Sequence, residues 1–118
     1  MLITDIEFGN ISIDGKAYEQ DFVVSKGEIE IRDKENSRKL KEQYGGHTPL
    51  TPQENIPWDC KNLIIGNGFY GSMPVSPEFQ EEADKRGIQV IIMDTPTALS
   101  LLSTDDGTDT NYIIHIRC

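Results

Sequence analysis

At 118 residues the chain is long enough for one domain, residues 1–118, because folding at this size buries about two thirds of the unfolded surface without disulfide or metal staples. Twenty acidic residues against eleven basic ones leave a formal charge of −9, which repels phosphate backbones and anionic lipid and removes nucleic acid from the expected partners. No apolar run approaches the roughly 20 residues that cross a bilayer, five charged side chains within residues 1–20 do not read as a secretory leader, and only two cysteines, Cys60 and Cys118, fit a reducing cytoplasm.

The first third reads as strands at Leu2 to Phe8, Ile11 to Ile13, Phe22 to Val24 and Glu28 to Arg32, with Asp14-Gly15 as a turn dipeptide and Gly27 as a breaker. This pattern predicts an antiparallel meander. In Glu28-Ile29-Glu30-Ile31-Arg32 the alternation puts two isoleucines on one face and three charges on the other, so the charged face is expected in water.

From Asp33 to Trp58 the chain turns charged and then reads YGGHTPLTPQENIPW, whose three prolines and two glycines forbid a long regular element. A long surface excursion is expected, and loops beyond about 12–15 residues tend to be functional when ordered. His47 lies there, readable as a general base or ligand, or as a loop imidazole bonded to nearby backbone.

The second half alternates between strand and helix. Leu63 to Ile65 is a short apolar strand. Ser76 can cap a helix that has Pro77 first, Glu78, Glu81 and Glu82 early, Lys85 and Arg86 late, and Gly87 as its terminator. Ile88 to Met93 follows as a second strand, which makes a βαβ unit with neighbouring parallel strands. Thr95-Pro96 starts another helix with Ala98, Leu101 and Leu102 as its apolar face. STDDGTDTN is a polar loop, and Tyr112 to Ile116 is the final strand. The fold class expected is α/β: mixed sheets, an N-terminal antiparallel meander or hairpin, a C-terminal βαβ unit and two or three helices.

Between the first apolar strand and its helix stands a full G-x-G-x-x-G at Gly66, Gly68 and Gly71. In a dinucleotide-binding turn the helix begins at the second or third glycine and aims its first N–H groups at the pyrophosphate. Here Pro74 and Pro77 would fall inside that helix at about 3 kcal/mol each, so the helix must begin at Pro77 and the motif loses its geometry. Asp94 stands where a ribose-binding acid would, yet the chain is too short for both mononucleotide halves. No cofactor is expected.

Two readings of the glycines remain. They supply a tight turn over the core, or they open a crevice at the strand's C-terminal end in which Gly66, Asn67, Gly68, Tyr70, Gly71 and His47 bind a small anion. Tyr70 is either a ligand-facing phenol or an aromatic lid. Cys60, Cys118, His47 and His115 are too scattered for a clustered zinc signature, and a buried hydrophobic role explains Cys60 more simply. EFQEEADK reads as a solvated helix face, and no catalytic triad, phosphate loop or paired-carboxylate motif appears.

FGNISIDGKAY, GGHTPL, LIIGNGFYG with its proline-started helix, RGIQVIIMDTPTAL and the ending IIHIRC together resemble domain of unknown function family 498, over about Phe8 to Cys118. That α/β family includes the mitochondrial complex I assembly factor 3 and an adipogenesis-associated relative. The resemblance implies mixed sheets with an intruding β-hairpin, two or three helices and no established enzymatic activity. For animal members it implies protein association during assembly of a respiratory complex. The chain departs from the family where basic residues precede the final strand, since Asp105, Asp106 and Asp109 stand there instead. Two functional expectations follow: a non-catalytic interaction module that docks a partner protein or a second copy through outer strands and the proline-rich loop, and, as the alternative, a small-anion binder or enzyme using the glycine-loop crevice.

Overall fold

A computed structural model describes all residues 1–118 and places them in two sheets and three helices. A three-stranded antiparallel sheet holds β1 (Ile3–Glu7), β2 (Asn10–Ile13) and β3 (Lys16–Tyr18). A five-stranded mixed sheet has the order β5-β4-β8-β6-β7, from β4 (Phe22–Ser25), β5 (Glu28–Ile31), β6 (Asn62–Gly66), β7 (Gln89–Met93) and β8 (Thr110–Ile114). The predicted meander is therefore divided. Its strands are antiparallel throughout, but β4 leaves the first sheet to pair with β5 and with the last strand, β8. The parallel pairing of β6 with β7 in register Leu63 to Val90 is the βαβ unit read from the sequence.

The centre of the large sheet is covered on both faces, which explains the short apolar runs of β4, β6 and β8, whereas the edge strand β5 keeps its alternation. Phe22, Val24, Ile64, Tyr112 and Ile114 face one cluster together with Ile11 and Ile13 of β2 and with helix α3 (Thr95–Leu102). Their strand neighbours Val23, Leu63, Ile65 and Ile113 face the other cluster, which is closed by Leu50, Met73 and Phe79 and Ala83 of helix α2 (Pro77–Lys85).

Both major helices start on a side-chain cap. Ser76 Oγ accepts from Phe79 N at 3.2 Å with Pro77 at the first position, as expected. In α3 the cap is Asp94, which accepts from Thr97 N at 2.9 Å, one residue before the predicted start. Asp is the stronger cap, so it takes that role and leaves the Thr95 hydroxyl free for tertiary bonds. The buried stripe is then Thr95, Ala98, Leu99 and Leu102, at i, i+3, i+4 and i+7. Leu101 falls outside the stripe and is exposed, which corrects its assignment to the apolar face.

The excursion from Asp33 to Trp58 has no long element, only the single turn α1 (Glu35–Arg38) and a 3-10 turn at Lys41–Tyr44. It is, however, pinned into the domain rather than left on the surface. Leu50 is fully buried, and its backbone bridges Pro74 and Ser76.

The anchor of this segment is Arg32, which corrects the expectation that all three charges of its stretch face water. β5 ends at Ile31, where Asn55 Nδ2 donates to the Ile31 carbonyl, and the arginine beyond turns inward. Its guanidinium is 1% exposed. Nε and Nη2 grip both oxygens of Glu54 at 2.6 and 2.9 Å, Nη1 reaches Asp21 at 2.9 Å, and Nη2 also reaches the Pro49 carbonyl at 3.1 Å. Glu54 in turn accepts from Ser37 Oγ and Thr51 N. Burial works against the charge on Arg32, but the two carboxylates outweigh it and raise its pKa. Burial alone would raise Asp21 as well. The hydrogen bond and charge of His115, then Lys34 and Arg32, overcome it and hold the carboxyl well below the usual range.

Removing one member of such a network strands buried charge. Arg32→Met is expected to cost about 3–5 kcal/mol in urea denaturation, whereas loss of the exposed Arg38–Glu35 pair should cost under about 1 kcal/mol. Asp21 stays ionised in the folded state far below the pH near 4 at which an unfolded aspartate takes up its proton. Its stabilisation is therefore complete above about pH 5 and is lost as pH falls through about 4 towards the folded value. Denaturation midpoints measured from about pH 6 to pH 3 should drop, and Asp21→Asn should flatten that slope.

Candidate functional site

The glycine loop leaves the C-terminal end of β6 and is filled by the chain's own last residues. Beyond β8, residues 115–118 run along it. His115 N donates to the Gly66 carbonyl, Phe69 N donates to the Arg117 carbonyl at 2.8 Å, and Tyr70 N and Ser72 N both donate to the Cys118 carbonyl at 2.9 and 3.1 Å. Asn67 N goes to Met93, Gly71 N to Gly68 and Met73 N to Asn67. Gly68 N donates to Thr95 Oγ1 at 2.9 Å, while that hydroxyl donates to the His115 carbonyl. Every main-chain N–H from Asn67 to Met73 is thus spent within the domain, and these are the donors an anion in this loop would need. Helix α2 opens only at Pro77, beyond the glycines, and the N-terminus of α3, which does meet the loop, has its Thr95 N–H bonded to the Gly68 carbonyl.

Each glycine of the motif has its own reason. Gly66 is packed under α3, where a Cβ would lie 3.1 Å from both Ala98 Cβ and Thr95 Oγ1. Gly68 combines φ +112° with a backbone that would drive a Cβ into the Cys118 carbonyl. Gly71 has φ +67° and only ordinary contacts, with Asn67. The loop's inner side is therefore a close-packed joint between β6, α3 and the C-terminal segment.

Its outer side is different. Tyr70 is 79% exposed and Phe8, just beyond β1, is 49% exposed, with their ring centroids 6.0 Å apart. Phe69 also meets Phe8, with ring centroids 6.0 Å apart. Of the two roles read for Tyr70, the ring caps no core. It stands in solvent on a loop whose backbone is fully bonded.

His47 lies elsewhere. It is exposed in a cleft of about 160 Å³ with Lys34, Met73, His115, Arg117 and Cys118, and with Arg32 behind them. Asn67, Gly68 and Tyr70 do not line it, so the six residues nominated from the sequence divide between a packed loop and this cleft. His115 Nδ1 is 2.7 Å from Asp21 Oδ2. Because Asp21 is an ionised acceptor, the proton sits on Nδ1 of His115. A second chamber of about 380 Å³ adjoins across Lys34 and Arg117 and carries Glu19, Asp33, Glu35 and Arg38. Cys60 and Cys118 are free thiols in different places, Cys60 among the apolar residues of the α2 side. Burial pushes the Cys60 thiol up in pKa.

Sequence reasoning missed Thr95 as the joint of the loop, and Arg117 and Lys34 as walls of the cleft. Thr95 carried the signal of a helix start, which masked its second role. Lys34 and Arg117 carried no signal, because Lys34 is one of many charges in its stretch and Arg117 is a single cation after the last strand.

The family described as protein of unknown function (DUF498/DUF598) matches residues 3–102, starting ahead of Phe8 and stopping short of the final strand. Among solved structures the chain is similar to a conserved hypothetical protein from Pyrococcus horikoshii OT3, with 35% identity over 100% of both chains and a TM-score of 0.82. It also matches a protein designated MT938 at 22% identity, covering 99% of this chain and 98% of that one, with a TM-score of 0.70. An outer membrane protein from Bartonella henselae matches at 14% identity, 98% and 94% coverage and a TM-score of 0.63. The last two are likenesses of fold alone. No curated protein matches the chain, and no helix is long and apolar enough to cross a membrane.

The loop geometry ranks the glycines. Gly68→Ala should cost about 3 kcal/mol or more, from positive φ together with a backbone clash, and Gly71→Ala about 1 kcal/mol from φ alone. Chemical denaturation of the two variants side by side checks the order, and equal costs would contradict the packed-joint description.

Proposed function

The chain belongs to the DUF498/DUF598 family of proteins of unknown function, and we propose that this domain works as a non-catalytic protein-interaction module, docking a partner through the aromatic face of Phe8 and Tyr70. The observation that carries this reading is Tyr70 itself: a large, mostly exposed ring held on a loop whose N–H groups are all bonded. Aromatic side chains presented rigidly lose little entropy on binding, and for that reason they dominate interface hot spots. The patch is continuous along the chain with β1, the edge strand of the small sheet, where Ile6 is also exposed. An edge strand offers unpaired main-chain groups to an incoming segment. Asp5 and Glu7 on the same strand favour a partner with a basic rim. The buried charges do not compete with this reading, because Arg32, Asp21 and Glu54 satisfy one another and serve the fold.

The proline-rich segment spends Leu50, Thr51 and Pro57 on the domain's own interior, so the docking face of this proposal is the aromatic one. The reading is tested by light scattering on a sizing column together with affinity capture, comparing the natural chain with Phe8→Ser/Tyr70→Ser. The natural chain should self-associate or retain a specific partner, and the double variant should weaken that association at least about tenfold, as loss of a hot spot does. Its melting temperature should hold, since both rings are exposed. A strict monomer with nothing retained, or a double variant that binds as before, would retire the proposal.

A further inference from the structure

We infer that the cleft between Lys34, His47, His115 and Arg117 is a binding site for a small oxyanion, phosphate or carboxylate, which neither the family nor its solved relatives assign. The inference is independent of the docking face, which shares no residue with the cleft.

The chain carries twenty acidic residues and a formal charge of −9, yet no aspartate or glutamate lines this cleft. What does line it is both of the chain's histidines, together with Lys34 and Arg117 and the buried Arg32. Glu54 and Asp21 already meet the charge of Arg32, so the cations an anion would pair with are Lys34 and Arg117, in a depression that no acidic side chain lines. Arg32 is not itself a ligand: its donors are committed to Glu54, Asp21 and Pro49, and it forms the floor. Lys34 has only a 3.7 Å contact with Asp21 and remains one third exposed, and Arg117 makes a single 3.4 Å bond to the Glu19 carbonyl, so both have donors to spare. Asp21 holds the His115 ring through Nδ1, and the other ring nitrogen, Nε2, donates to an anion only in the imidazolium form. The volume of about 160 Å³ suits a phosphate or a short carboxylate. The adjoining larger chamber shares Lys34 and Arg117 but adds Glu19, Asp33 and Glu35, so the anionic group belongs on the histidine side.

The test is a titration of the intact chain with inorganic phosphate and, separately, with succinate, at constant ionic strength and with chloride as the control. Amide and imidazole NMR signals report the site. Saturable shifts at residues 46–48 and 115–117 are expected from at least one of the two anions, and the tighter of them identifies the headgroup. Arg117→Gln and, separately, His47→Gln should each weaken that affinity, Arg117→Gln by about tenfold, as loss of a charged hydrogen bond does. Both are exposed positions, so the fold is retained. Shifts that grow linearly, that chloride reproduces, or that both variants leave unchanged would overturn the assignment.

Discussion

A single buried guanidinium governs how the irregular half of this protein is arranged. Arg32 has left water almost completely, and an uncompensated charge there would cost several kcal/mol, a large share of the net stability of a small domain. It is tolerated because Glu54 meets it through two oxygens and Asp21 through a third. Glu54 sits in the segment between β5 and β6, and Asp21 lies just ahead of β4. Neutralising Arg32 therefore draws a proline-bearing stretch without regular structure against the end of the large sheet. Ser37 and Thr51 complete the bonds of Glu54, so the stretch is fixed by polar satisfaction as much as by Leu50 entering the core.

The same carboxylate of Asp21 carries that constraint to the other side of the molecule. It accepts from Arg32 on one flank and from His115 and the Ile116 amide on the other. The C-terminal segment is thereby held where it runs beside the glycine loop and occupies the loop's amides. Two consequences follow from one placement. The loop has its amides bonded and carries Tyr70 outward beside Phe8, and His115 and Arg117 come to line one cleft with Lys34 and His47. Thr95 adds the cross-bond that locks helix α3 to both partners.

Average charge is a poor guide to such a molecule. A chain at −9 repels anions as a whole, and an extended nucleic acid would meet that long-range potential over a wide surface. A cleft a few ångströms across responds to the groups that line it, and there the balance is reversed. The two statements apply at different distances, separated by screening over about 8–10 Å at ordinary ionic strength.

Much of the architecture was legible residue by residue. Ser76-Pro77 and Gly87 bounded α2, the runs Leu63–Ile65 and Ile88–Met93 marked parallel neighbours, and the prolines after Gly71 ruled out a helix on the glycine motif. These are local facts, decided by φ, hydrogen-bond donors and side-chain periodicity within a few residues. What the tertiary structure alone decided was everything that pairs distant positions. Arg32 joins carboxylates 11 and 22 residues away, β8 is inserted between β4 and β6, residues 115–118 fill the loop at 66–72, and both histidines meet in one cleft. Alternation placed Arg32 in water because a pattern of two assumes the strand continues, and nothing in the neighbouring residues says that it stops at Ile31 for a glutamate far along the chain. The sequence by itself determines each element through short-range sterics and capping. The charges it leaves unassigned find their partners only when the folded chain removes water from between them.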